Sequence, residues 1–333
     1  MSVINKYLRQ YAEPEARVCL ETSLSGCWQQ VLVIPAYAES PAVLDNLSQY
    51  SNTLLILVVN HPDNALNARR NDSLRDHIRS LPETQRIADA NASLRELSQS
   101  NHLLAVERPT PLPSKQGVGL ARKLGCDLAL AFMAGGHVQS PWMHCSDADV
   151  KLPRDYFKAA QIVRNAAALT YPFTHIAPAD PREQTAIALY ENYLKCYVAG
   201  LQYAGSPYAF HTIGSCIAVN GAAYAHVRGF PRRAAGEDFY LLNKLAKQGP
   251  VLTPRCTPLS LSARLSDRVP FGTGPALTTL LSQDRITDIA YFYDPRCFQA
   301  LAAILRFVES SGSPDIQESD FKKALKDHTK AFI

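Results

Sequence analysis

Hydrophobic and polar positions follow one another along this chain in blocks. Residues 30–37, QVLVIPAY, form a β-branched apolar run broken by proline, the pattern of a buried strand running into a loop. A helix is expected next over ESPAVLDNLSQY, with Ser40 as N-cap, Pro41 as the first helical residue and Val43, Leu44 and Leu47 as its apolar positions. TLLILVVN, residues 53–60, is a second continuous apolar run of strand length. Strand, helix and strand within about thirty residues is a βαβ signal, and so predicts a parallel pair.

The order recurs downstream. Residues 61–101 are polar and charged, and NDSLRDHIRSL and QRIADANASLREL predict helices. HLLAVERP reads as a short strand, SKQGVGLARKLGCDLALAFMAGG as a loop feeding a long helix, and PWMHCSDAD as a strand with Asp147 and Asp149 at its C-terminal end. KLPRDYFKAAQIVRNA predicts a helix, ALTYPFTHIA a strand, and PREQTAIALYENYLKCYVAGLQYA a long helix. TIGSCIAVNGAAYAHVRGF gives a strand, a turn and a short helix. FYLLNKLAKQG, residues 239–249, predicts a helix stopped by Gly249, and VLTPRCTPLSL a strand. Helical spacing returns in CFQALAAILRFVES and SDFKKALKDHTK. The expected fold is α/β: a doubly wound, mostly parallel sheet flanked by helices, with a helical C-terminal extension. An N-terminal extension would occupy residues 1–29, the catalytic or binding domain 30–262, and a lid segment with the helical extension 263–333.

Composition narrows the class. Of 333 residues, 47% are hydrophobic and 19% charged, an ordinary globular balance. The net charge of +4 is small and its basic residues are scattered, which predicts no nucleic-acid partner. The first residues, MSVINKYLRQYAEPEARV, hold no apolar core of signal-peptide length, and no run of 18 apolar residues predicts a transmembrane anchor. Eight cysteines without a CxxC pair argue against a zinc cage and read as buried free thiols in a reducing cytoplasm.

In open α/β sheets ligands bind outside the carboxyl ends of the strands. Three unusual loops are expected at such ends: PAYAES, VNHPDN and CSDADVKLP. Asp-Ala-Asp at a strand tip offers two oxygen ligands and leaves other positions open, which suits Mg²⁺ or Mn²⁺ completed by water and phosphate. A polar turn with an Asx cap is the structural alternative. Glu237 and Asp238 stand at a helix start after a Gly-Phe-Pro loop, where carboxylates also complement the helix dipole. Lys115 and Arg122 flank a glycine-containing turn where main-chain N–H groups and cations can meet phosphate, or they are solvated side chains of a helix. Arg264 and Arg268, in SARLSDRVPFGTG, form either a cationic lid over a diphosphate or a surface turn.

Taken in order, VLVIPAYAE, the second apolar strand, Lys-x-Gly-x-Gly-x-Ala-Arg-Lys, CSDAD and GEDFYLLNKLAKQG resemble the family-2 glycosyltransferases of GT-A fold, from about residue 30 to about 260. The resemblance implies a nucleotide-sugar donor, UDP first and GDP second, with Pro35, Ala36, Tyr37 and Glu39 along its base and ribose. It implies Asp147 on ribose and metal, Asp149 on the metal, and Asp238, or else Glu237, as the base that takes the acceptor's proton with inversion. Where the family carries an acidic turn after its second strand, this chain has VVNHPDN, with Asn60 able to hydrogen-bond and Asp63 as a displaced carboxylate. The acceptor is left open among saccharide, lipid-linked and small-molecule hydroxyls, as are a homodimer and a peripheral place on the inner face of a membrane. Two other readings keep the fold: a non-catalytic nucleotide-sugar-binding protein, and a sugar nucleotidyltransferase, whose GxGTRxxP-like loop PAYAES lacks.

Overall fold

The two apolar runs pair first. β1 (Gln30–Ala36) and β2 (Thr53–Val59) run parallel, Gln30 opposite Thr53 and Ala36 opposite Val59. Every residue of β2 is buried, as a strand covered on both faces requires. The computed structural model of the chain describes residues 2–47, 49–63, 69–108, 110–265, 272–283 and 292–311, with 319 and 322. Between β1 and β2 the expected helix is a 3-10 helix, Pro41–Leu47, because the Ser40 hydroxyl accepts from Ala42 only two residues on and closes a tight turn.

Where QRIADANASLREL predicts a helix, the structure has a hairpin of β3 (Glu83–Ile87) and β4 (Ala92–Glu96). Its reversal uses Asn91 in the left-handed region, φ 50°. Arg95 crosses to Glu83 at 2.6 Å and donates to Leu81 O at 2.8 Å. β4 then pairs antiparallel with β5 (His102–Glu107), which itself lies parallel to β2, so sheet pairing overrides the helical spacing.

On the other side of β1 comes β6 (Trp142–Cys145), also parallel. ALTYPFTHIA forms two short strands rather than one, β7 (Ala168–Thr170) and β8 (Phe173–His175), separated at Pro172. β9 (Ile217–Asn220) is antiparallel to both β6 and β7. VLTPRCTPLSL also divides, into β10 (Val251–Leu252) beside β7 and β11 (Leu259–Leu261) beside β8. The result is a nine-stranded mixed sheet, β10-β7-β9-β6-β1-β2-β5-β4-β3, with a parallel centre, and a separate β11-β8 pair.

Two compact units divide the chain. The first holds residues 1–176 and 212–262. Besides the strands it contains α1 (Val3–Gln10), α2 (Pro14–Leu20), α3 (Asp72–Ser80), α4 (Gly117–Ala134) and α5 (Tyr156–Gln161). After the residues of α6 (Pro181–Tyr203), it resumes with α7 (Gly221–His226) and α8 (Glu237–Leu245). Helix α4 lies directly on β1: a Cβ at Gly125 would stand 2.3 Å from Val33 Cγ1. Residues 1–29, expected as an extension, supply α1 and α2 to this unit. Buried Asp127 of α4 anchors them, accepting from Tyr7 Oη at 2.6 Å, Glu13 N at 2.8 Å, Lys123 Nζ at 2.7 Å and Tyr224 Oη at 2.9 Å. Four donors offset the desolvation of that carboxylate.

The second unit, residues 177–211 and 263–333, contains α6, α9 (Thr273–Leu281) and α10 (Pro295–Ser311). Ala186, Ile187 and Leu277 are its buried centre, with Leu189, Leu280 and Leu281 against them. The helix expected over SDFKKALKDHTK lies largely outside the described residues. Among the cysteines, Cys19, Cys126, Cys145 and Cys216 are buried as expected, whereas Cys27, Cys196 and Cys297 are exposed. Among the described residues no helix is long and apolar enough to cross a membrane.

Candidate functional site

From β1 and β2 the chain passes to β3 at the sheet edge, comes back through β4 to β5 beside β2, and then crosses to β6 on the opposite side of β1. Such a switch of direction, beyond the carboxyl ends of β1 and β6, is the place where an open α/β sheet takes its ligand. Ser146 N–H donates to Val33 O at 3.1 Å, which carries the tip of β6 along β1 and puts Asp147 just past the strand end. A turn follows, with Val150 N–H on Asp147 O at 3.3 Å, and Asp149 lies in it, half-buried.

Arg122 joins this tip to the start of α8. Its side chain projects from α4, only 3% exposed. Nη2 donates to Asp147 Oδ1 at 2.6 Å and Nε to Glu237 Oε1 at 3.0 Å, while Nη1 reaches Ser146 O at 3.4 Å. Gly214 backs the guanidinium closely, for a Cβ there would lie 3.0 Å from Nη2. Thus carboxylates far apart in sequence, Asp147 at the strand tip and Glu237 at the helix start, meet on one buried cation, with Asp238 close enough to feel its charge. Arg122 is therefore committed to carboxylates, rather than standing as a solvated helix residue.

The carboxylates differ in exposure. Glu237 is 4% exposed, Asp238 is half-buried, and the Asp147 side chain keeps 41% of its surface in solvent. Burial pushes the Glu237 carboxyl up to about 7; Arg122 opposes the shift and Asp238 adds to it. Burial also raises Asp238, against the N–H groups of Phe239 and Gly214 and the charge of Arg122. For Arg122 burial works against the charge, but Asp147 and Glu237 outweigh it and hold the guanidinium above its ordinary value. Gly236, φ 71°, gives the chain the left-handed turn from which α8 starts at Glu237.

The β1 and β2 loops meet beside this cluster. Pro35 and Ala36 end β1, Tyr37 and Glu39 follow half-buried, and Asn60 N–H donates to Ala36 O at 2.9 Å. Ala38 adopts φ 55°, an uncommon left-handed conformation for a residue with a side chain. Fully buried Asn71 holds it there, accepting from Ala38 N at 2.8 Å and donating to Asn60 O at 2.7 Å. Nothing in the sequence pattern singled out Asn71. Ser146 is a second such residue: its hydroxyl is buried and has no hydrogen-bond partner among the described residues.

Other expected residues fall differently. Lys115 is exposed, in the turn ahead of α4. The glycines after it do not form an open phosphate cradle, because the 231–234 segment fills the space. Gly119 N–H donates to Arg233 O at 3.0 Å, and a Cβ at Gly117 would lie 3.1 Å from Ala234 Cα. Arg264 is exposed and belongs to the second unit, and Arg268 lies outside the described residues.

Among the described residues no group of three or more His, Cys, Asp or Glu side chains could hold a metal by itself. Asp147, with one oxygen on Arg122 and 41% of its side chain in solvent, and half-buried Asp149 are oxygen donors of the type a hard divalent ion takes together with water and phosphate. No family model matches the chain, and no curated protein matches it.

Proposed function

We propose that this protein is a metal-dependent, inverting glycosyltransferase of GT-A fold that moves a sugar from a nucleoside-diphosphate donor, UDP before GDP, to an acceptor hydroxyl. The Arg122 bridge between Asp147 and Glu237 carries the proposal, because it joins a carboxylate at a strand tip to one at a helix start, each with a second acidic residue beside it in sequence. Pro35, Ala36, Tyr37, Glu39 and Asn60 border the base and ribose. Asp147 and Asp149 would hold Mn²⁺ or Mg²⁺, which supplies neutralising charge for a departing diphosphate.

Asp238 takes the proton. Glu237 is deeper and accepts from Arg122, whereas Asp238 is more exposed and its proton affinity is raised by burial. The acceptor oxygen bonds to the anomeric carbon as the bond from that carbon to the diphosphate oxygen breaks. The bonding pair leaves on the diphosphate, and the hydroxyl proton passes to the Asp238 carboxylate.

Calorimetry with UDP and GDP, in Mn²⁺, Mg²⁺ or chelator, tests this on the native chain and on Asp149→Ala. The expected result is binding of one nucleotide that needs the cation and disappears in the variant. A folded native chain that binds neither nucleotide under any of these conditions would overturn the proposal.

A further inference from the structure

The segment that delivers Glu237 and Asp238 is gripped by the first helices of the chain. Arg228 Cζ stands 4.7 Å from the centre of the Tyr11 ring. Gly229, φ 69°, lies so close to α1 that a Cβ would fall 2.4 Å from Tyr7 Oη. Arg232 donates Nε to Glu13 Oε1 at 2.9 Å, and its Nη2 is 2.8 Å from the same oxygen. One residue on, Arg233 O accepts from Gly119 N–H at the start of α4.

The grip refers back to the helix that bears Arg122. Tyr7 Oη and Glu13 N–H both end on Asp127 of α4, and the second Glu13 oxygen is held by Arg108 Nη2 at 3.1 Å. Arg108 is in turn bidentate on Glu15, at 2.6 and 2.8 Å. Glu13 is only 3% exposed. A buried carboxylate is a costly way to stick two segments together, since an apolar contact of similar size would stabilise as much or more. What directed charge-assisted bonds add is orientation. The segment so oriented ends at Gly236, immediately before the two carboxylates.

We propose that the N-terminal helices are a positioning brace for Glu237 and Asp238, acting through Glu13 and Arg232. In its effect on turnover the proposal rests on the transferase reading above; in its effect on the segment it does not.

Arg232→Ala is the informative change, because Arg232 is half exposed and Glu13 keeps Arg108 when it is gone. Amide hydrogen exchange on the full chain should rise about 5-fold in peptides covering 229–240, stay unchanged in β6 and in α4 beyond its first turn, and recover in Arg232→Lys. Calorimetric binding of UDP with Mn²⁺ should be unaltered. Release of UDP from UDP-glucose should fall roughly tenfold in kcat with KM unchanged. Unchanged exchange at 229–240, or a rise spread over the whole first unit, would overturn the brace, as would a local rise with native kcat. If the native chain binds neither UDP nor GDP with Mn²⁺ or Mg²⁺, the transferase reading fails and the exchange result alone decides the brace.

Discussion

Arg122 Nη2 stands 2.6 Å from Asp147 Oδ1, inside a first unit where the arginine is 3% exposed and the aspartate reaches solvent. One cation thus fixes the inner side of a strand tip whose outer side remains available. Removing it strands buried Glu237 as well. Arg122→Ala should lower stability by about 3 to 5 kcal/mol, and Arg122→Lys, which cannot span both carboxylates, by roughly half as much. Denaturant midpoints measure both, and a loss under about 1 kcal/mol in the alanine variant would contradict the bridge.

Glu237 sets a second expectation, in the pH dependence of stability. Burial holds its folded value at about 7, above the ordinary 4.5, so the folded chain keeps a proton that the unfolded chain has released. The resulting stability is complete below about 4.5 and is lost as pH rises through about 7, by roughly 3 kcal/mol at most. Glu237→Gln stays neutral. Its stability should match the native chain near pH 5 and exceed it near pH 8, as read by urea midpoints across that range.

His144 acts in the opposite direction. It lies buried in β6 against Tyr156 and Phe157, with Nδ1 3.2 Å from Tyr171 Oη, and burial drives its pKa down to about 3. The unfolded chain therefore takes a proton below about 6.5 that the folded chain refuses, and stability falls by about 1.4 kcal/mol per pH unit from there toward 3. His144→Phe should remove about 2 kcal/mol of the difference between pH 7 and pH 5. Equal slopes in thermal or urea titrations of the two proteins would reject this account.

Much of the sheet centre was legible because strands covered on both faces must be continuous apolar runs, as QVLVIPA and TLLILVV are. The acidic tip of β6 was legible for the same reason, since it interrupts such a run. QRIADANASLREL misled because helical spacing is a local signal, whereas β4 takes its conformation from pairing with β5. Asn71 was hidden because the residue it holds, Ala38, lies 33 positions away and looks like any loop alanine. The turn that Lys115 and Arg122 flank was read as a place where main-chain N–H groups could meet phosphate, whereas the missing side chain of Gly119 admits the backbone of Arg233.

Glu13 and Arg232 are separated by 219 residues, which gives their contact a place in time as well as in space. At ribosomal speeds of about 5 to 20 residues per second, Glu13 is made on the order of 10 to 40 s before its partner. Closing so long a loop costs roughly 5 kcal/mol of chain entropy, so the contact follows other folding rather than nucleating it. Residues 177–211, which belong to the second unit, are synthesised during that wait. The acidic segment is thus fixed in place only after most of the sheet has been made, and the first helices spend their early life without the partner they are shaped to hold.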